Sequence, residues 1–150
     1  MARLEINMAR RNISENVPGA LIAFMAKMKV WEVEFFDRRK QALSKGVDDS
    51  ELKGEYAQSL EVILCEYAIK DKSNYGRLID LGCTKPATYD PDTDEIQVVG
   101  SDEKGLTVQV QQVGGAETAS RIYVVCQKGE WKIKKKEILD FDEKWRRAPL

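Results

Sequence analysis

The spacing of apolar residues changes once along this chain, from a helical repeat to strict alternation, and that change limits the folds open to it. From Pro18 to Lys45, Leu21, Phe24, Met25, Met28, Trp31, Phe35 and Phe36 recur at intervals of three and four, which places them on one stripe of a helix. Pro18 suits the opening turn and Gly46 the stop. Asp48 followed by Glu51 reads as a capping box opening a second helix, with Leu52, Tyr56, Leu60, Ile63 and Tyr67 on one face and an end near Asp71. Gly54 weakens that helix by about 1 kcal/mol relative to alanine, so its first turns are expected to be irregular or closely approached. Tyr75 to Leu81 is long enough for a short third helix with Gly82 beyond its end, and Pro86 then forces extended chain.

Beyond Pro86 the period is two. Strands are expected over Glu95 to Val99, Leu106 to Val113, Ser120 to Gln127 and Glu130 to Leu139. Leu106, Val108 and Val110 alternate with Thr107, Gln109 and Gln111, and Trp131 and Ile133 with Lys132, Lys134 and Lys136, so each strand has a buried and a wet face. Lys128-Gly129 forms a tight hairpin, and Gly114-Gly115 marks a looser turn or bulge. Helices first and antiparallel strands afterwards define an α+β fold, a curved sheet wrapping the aromatic stripe with the second helix closing part of the opening.

A chain of 150 residues fits one domain, and 24 basic against 25 acidic side chains imply no general polyanion partner. Residues 1–17 read as a flexible N-terminal segment, with Met8 an alternative start to Met1, and residues 18–150 as a single domain. The stretch from Leu4 to Asn12 has no apolar core of a secretory signal, and Lys27, Lys29, Glu32 and Glu34 interrupt the run from Leu21 to Phe36, so neither signal nor membrane span fits. Cys65, Cys83 and Cys126 are odd in number and widely spaced; they read as reduced, buried or half-buried packing residues in a cytoplasmic protein.

The chain has no histidine, which excludes Ser-His-Asp and Cys-His catalysis, H-E-x-x-H zinc sites and histidine proton shuttles. It also lacks the glycine-rich loops of nucleotide sites. A buried carboxylate working with a tyrosine is the remaining route to catalysis, with Glu66, Tyr67, Tyr56 and Asp80 as its residues; helix-surface charge and core packing are their alternative reading. Asp90, Asp92, Asp94, Glu95, Asp102 and Glu103 fall between Thr88 and Glu103 without one basic residue, a segment suited to a basic partner or to a solvated turn. The spacing of Asp90, Asp92 and Asp94 fits the start of a calcium loop, but the glycine at its sixth position and the glutamate at its twelfth are missing. The run Lys132 to Lys136 is diluted by the acidic residues between Glu137 and Glu143, and most of its lysines read as the wet face of a strand, not as a nucleic-acid site. Trp145 either caps the sheet or lies exposed.

The order of helices and strands, closing on Gly129-Glu130-Trp131-Lys132-Ile133, resembles the NTF2-like cone fold. The segment from Asn74 to Cys83, with Pro86 and Tyr89-Asp90-Pro91, and the motif Trp31-Glu32-Val33-Glu34-Phe35-Phe36 resemble the NTF2-fold immunity proteins of bacterial polymorphic toxin systems over about Gly19 to Trp145. That resemblance implies a cytoplasmic antidote that binds a cognate toxin domain encoded nearby and blocks its active site, with no catalytic residue, metal or cofactor. Its toxins often act on nucleic acid, so the six acidic residues from Asp90 to Glu103 are the expected contact surface on physical grounds. The alternatives are a small isomerase or dehydratase of the cone type, which needs a polar pocket, and an adaptor that forms a homodimer through the wet sheet face.

Overall fold

A computed structural model of the chain describes residues 12–150. Among these residues three helices precede the strands, α1 (Gly19–Ser44), α2 (Ser50–Tyr67) and the single turn α3 (Gly76–Ile79). Five strands follow, β1 (Glu95–Ser101), β2 (Gly105–Gln111), β3 (Ala119–Gln127), β4 (Glu130–Leu139) and β5 (Trp145–Ala148). The strands form one antiparallel sheet in the order β1-β2-β3-β4-β5, so the expected α+β arrangement holds.

Leu21, Phe24, Met25, Met28, Trp31 and Phe35 turn into the core, as the stripe on α1 predicts, while Phe36, expected on the same stripe, is only half-buried. Gly46, at φ +66°, closes the helix with its amide on the Leu43 carbonyl, a left-handed conformation that glycine adopts without steric cost. Helix α2 buries Tyr56, Leu60 and Leu64, while Leu52, Ile63 and Tyr67 are only partly covered. The two helices are joined by the Trp31 indole, which donates to the Tyr56 carbonyl at 2.9 Å, and by the stacked rings of Phe35 and Tyr56 at 4.9 Å.

Several boundaries differ from those expected. Asp48 Oδ1 accepts from the Ser50 amide and hydroxyl ahead of α2, but the return bond from Glu51 that completes a capping box is absent among the described residues. Helix α2 stops at Tyr67, not near Asp71, because Ala68 turns extended and bridges Ile133 while the Ile69 amide donates to the Ile133 carbonyl. Strand β5 was not expected; it places Trp145 on the sheet, its ring 4.1 Å from the Arg121 guanidinium. The described residues ahead of α1 are held against the start of β1. Asn12 and Ser14 bond the backbone of Ile96, and the Asn12 amide side chain donates to the carbonyls of Pro91 and Asp94. The Met1 and Met8 positions lie outside the described residues. Cys65 and Cys126 are exposed and Cys83 is half-buried, so the packing role holds for Cys83 alone: Cys65 follows Leu64 around to the outer side of α2, and Cys126 sits at the β3–β4 hairpin.

The most consequential departure lies in β4. Tyr123 pairs with Lys135 but Val124 pairs with Ile133, so Lys134 is an extra residue bulging from the ladder. A shift of one residue exchanges the two faces of a strand, and beyond the bulge the parity reverses. Lys136, expected on the wet face with Lys132 and Lys134, therefore stands opposite the buried Ile122 and is only 3% exposed.

Candidate functional site

A buried carboxylate on α1 organises the end of the molecule where a site is found. Glu32 lies four residues after Met28 and three before Phe35, on the buried stripe itself, and is 1% exposed. Its Oε2 accepts from Arg77 Nη2 at 3.1 Å, from the Thr84 amide at 2.8 Å and from the Thr84 hydroxyl at 3.2 Å; its Oε1 accepts from the Thr88 amide at 2.7 Å. A carboxylate in an apolar core is tolerated when it is paired and hydrogen-bonded in this way. The guanidinium of Arg77 also packs over Trp31 at 5.0 Å. One side chain thus fixes α3 and the loop 84–88.

Asn74 has a comparable role one turn earlier. It is fully buried, and its Nδ2 donates to the carbonyls of Ile69 and Lys134 while Arg147 Nη2 donates to its Oδ1. Lys134 is the bulged residue, so Asn74 holds the irregularity that turns Lys136 inward. The motifs around Trp31 and Asn74 are brought together by these contacts.

Loop 84–88 and the turn after β2 enclose a cavity of about 480 Å³ over the inner face of the sheet. They close on one another tightly: Gly115 sits at φ +61° against Pro86, and a Cβ there would fall 2.8 Å from the proline ring. Thr88, Asp94, Val110, Ser120, Lys136 and Ile138 form much of the wall. Lys136 Nζ donates to Tyr89 Oη at 3.0 Å and lies 4.5 Å from the centre of that ring. Asp94 is 1% exposed and accepts the Asp90 amide on Oδ2 at 3.0 Å. Burial pushes its carboxyl above the usual carboxylate range, partly opposed by that amide and by the charges of Lys29 and Lys136.

The six acidic residues of the segment 90–103 do not form one surface. Asp94 faces the interior. Asp90 is half-buried and binds Lys29 at 2.9 Å; burial alone would raise its pKa, but Lys29 and Thr93 hold it below the usual value. Asp92 and Glu95 are exposed beside it, Asp92 also reaching Lys29 at 3.3 Å. Asp102 and Glu103 lie in the β1–β2 turn at the other end of a seven-residue strand, roughly 20 Å away at about 3.3 Å per residue. The amides of Lys104 and Gly105 donate to Asp102 and lower its pKa. No group of three or more metal-ligating acids or cysteines occurs among the described residues, and Asp90 spends its Oδ1 on Lys29 and the Asp92 amide in place of an ion.

Next to Asp92 the outer side of α1 carries Ala26, Val30 and Val33, which form a shallow apolar groove with Pro91. The stripe on α1 gives no sign of this second face, whose signal is the exposed valines themselves. The residues expected for carboxylate catalysis are not assembled. Glu66 is exposed and pairs with Lys27, Asp80 is exposed, and Tyr56 is stacked on Phe35 in the core. Phe24, Met28, Trp31 and Phe35 fill the interior beneath α1. No helix among the described residues is long and apolar enough to cross a membrane.

Comparison with known proteins matches residues 16–149 to a family described as NTF2 fold immunity protein. A relative named Immunity protein RhsIA, from Dickeya dadantii (strain 3937), is 27% identical over 123 residues, covering 81% of this chain and 87% of the relative. No solved structure gives a significant match.

Proposed function

Because this chain belongs to the NTF2 fold immunity protein family, we propose that it is the antidote to a cognate toxin domain, which it binds and occludes in the cytoplasm without catalysis. The match over residues 16–149 carries this reading, and the likeness to the relative named Immunity protein RhsIA supports it. The contact surface is the end of the acidic segment that remains exposed, Asp92 and Glu95, together with the apolar groove at Val30 and Val33. An apolar centre rimmed by charge is the usual anatomy of a protein interface, and acidic side chains there would occupy the place of substrate phosphates on a basic toxin. Asp94 is not part of it, being buried, and Asp102 and Glu103 lie too far along β1 to join the same patch.

The experiment is association kinetics with the inactivated toxin domain encoded beside this protein, at several salt concentrations. Asp92→Ser with Glu95→Ser is expected to slow association and to flatten its salt dependence. Unchanged kinetics remove this surface from the account, and no binding at tens of micromolar by the unaltered protein overturns the pairing. The homodimer reading has one observation in its favour, the outer sheet face carrying Arg121, Tyr123 and Trp145, residue types enriched at interfaces.

A further inference from the structure

The cavity under loop 84–88 is separate from the exposed contact surface, and its chemistry points to a different ligand. Lys136 is the informative residue. Sequence alternation assigns it to solvent, and the bulge at Lys134 instead carries it into the wall of the cavity at 3% exposure. A lysine amine has three donors. Among the described residues Lys136 Nζ makes one hydrogen bond, to the neutral hydroxyl of Tyr89, and no carboxylate oxygen lies within 4.0 Å of it. Burying a cation with a neutral hydroxyl, an aromatic face and a carboxylate that acts only at a distance is costly, and the local device that imposes it, the capture of the bulged carbonyl by Asn74, is itself well built.

We propose that this cavity binds a small organic monocarboxylate with an apolar body, its carboxylate seated on Lys136 Nζ. Three observations fix the class. A volume of about 480 Å³ lies within the range of small-molecule sites. Val110, Ile138 and Pro86 supply apolar lining, while Thr88, Thr118 and Ser120 supply residues with hydroxyls. The charge balance favours a single negative charge: Lys136 is the one buried cation of the wall, with Lys85 at the rim, and a phosphate dianion would also face Asp94 with no second buried cation to meet it. The carboxylate of Asp94 gives Lys136 no direct pair, and one of its oxygens is engaged by the Asp90 amide. Glu32 acts on this site from behind, as the positioning residue that holds Thr84 and Thr88 in the rim.

The test uses the full chain, labelled with nitrogen-15, titrated with sodium benzoate and with sodium hexanoate. Saturable shifts of the Thr88, Ser120 and Ile138 amides are expected with at least one of the two, while inorganic phosphate at the same concentration leaves them in place. Lys136→Met is expected to weaken the carboxylate roughly tenfold or more, the value of a charge-assisted hydrogen bond. Should Lys136→Met fail to fold, Ser120→Leu fills the cavity from β3 with Lys136 intact and is expected to abolish the shifts. Absence of saturable shifts, equal shifts with phosphate, or binding indifferent to both substitutions overturns the proposal. Toxin binding is not a readout here, so the outcome is independent of the antidote reading.

Discussion

Replacing Glu32 with alanine removes a buried side chain that accepts four hydrogen bonds. The substitution removes one partner of an ion pair whose members are 1% and 12% exposed, leaving Arg77 charged inside the protein with Trp31 on one side and Nη1 already without a partner among the described residues. It also strips the acceptor from the amides of Thr84 and Thr88. Removing one member of a buried pair costs about 3–5 kcal/mol, a large share of the roughly 5–15 kcal/mol that stabilises a domain. At about 2–4 °C per kcal/mol for a chain of this size, a loss near 4 kcal/mol lowers Tm by roughly 8–16 °C. Arg77→Ala should cost less, because Glu32 keeps its three donors from Thr84 and Thr88. The double substitution should then fall short of the sum of the two by more than about 1 kcal/mol. Urea unfolding followed by tryptophan fluorescence measures all three, since Trp31 lies against the pair. A loss below about 1 kcal/mol for Glu32→Ala, or strict additivity, would refute the view that this carboxylate pins the loop.

Two further predictions concern the same end of the molecule. The pKa of Asp94 is raised by burial, so the native state holds its proton to higher pH than the unfolded chain does. This contribution therefore favours the folded state below the unfolded pKa and is lost as pH rises through the folded one; Asp94→Asn should remove that part of the pH dependence and gain stability at neutral pH, which a pH series of urea midpoints would reveal or deny. Asn74→Ala leaves the Ile69 and Lys134 carbonyls without their donor and should cost about 2–4 kcal/mol, with Lys136 amide exchange accelerating as the bulge relaxes. A thermal melt within about 0.5 kcal/mol of the parent would count against it.

The helices and strands were legible because their apolar periods are strong. The stripe on α1 and the alternation in β2 and β3 need no distant partner to be read, and each buried residue on them lies where the period puts it. What escaped the sequence depends on contacts between remote segments. The end of α2 is set by Ile133, 65 residues after Ala68. Lys136 points inward because Asn74, 60 residues before Lys134, captures a carbonyl, and no local pattern of lysine and isoleucine records that. Glu32 left a trace: as an acid on the apolar stripe it had to find donors, but its partners lie 45 to 56 residues ahead. The acidic segment was readable as composition and not as a surface, since a strand runs between its two ends and Asp94 folds inward.

The sheet order follows the sequence order, each strand beside the one made just before it, and this has a consequence for the newly made chain. Hairpins of neighbouring strands can form as soon as they emerge. Helix α1 has no such advantage: Phe24 is covered by Tyr89, and the strand it packs against most is β4, which ends at Leu139. Synthesis at about 5–20 residues per second leaves the stripe waiting roughly 5–20 s after Ser44 is made. In that interval α2 is the first helix made after it, with Tyr56 stacked on Phe35 and bonded to Trp31, so the helical hairpin serves as a shelter for the aromatic residues until the sheet arrives.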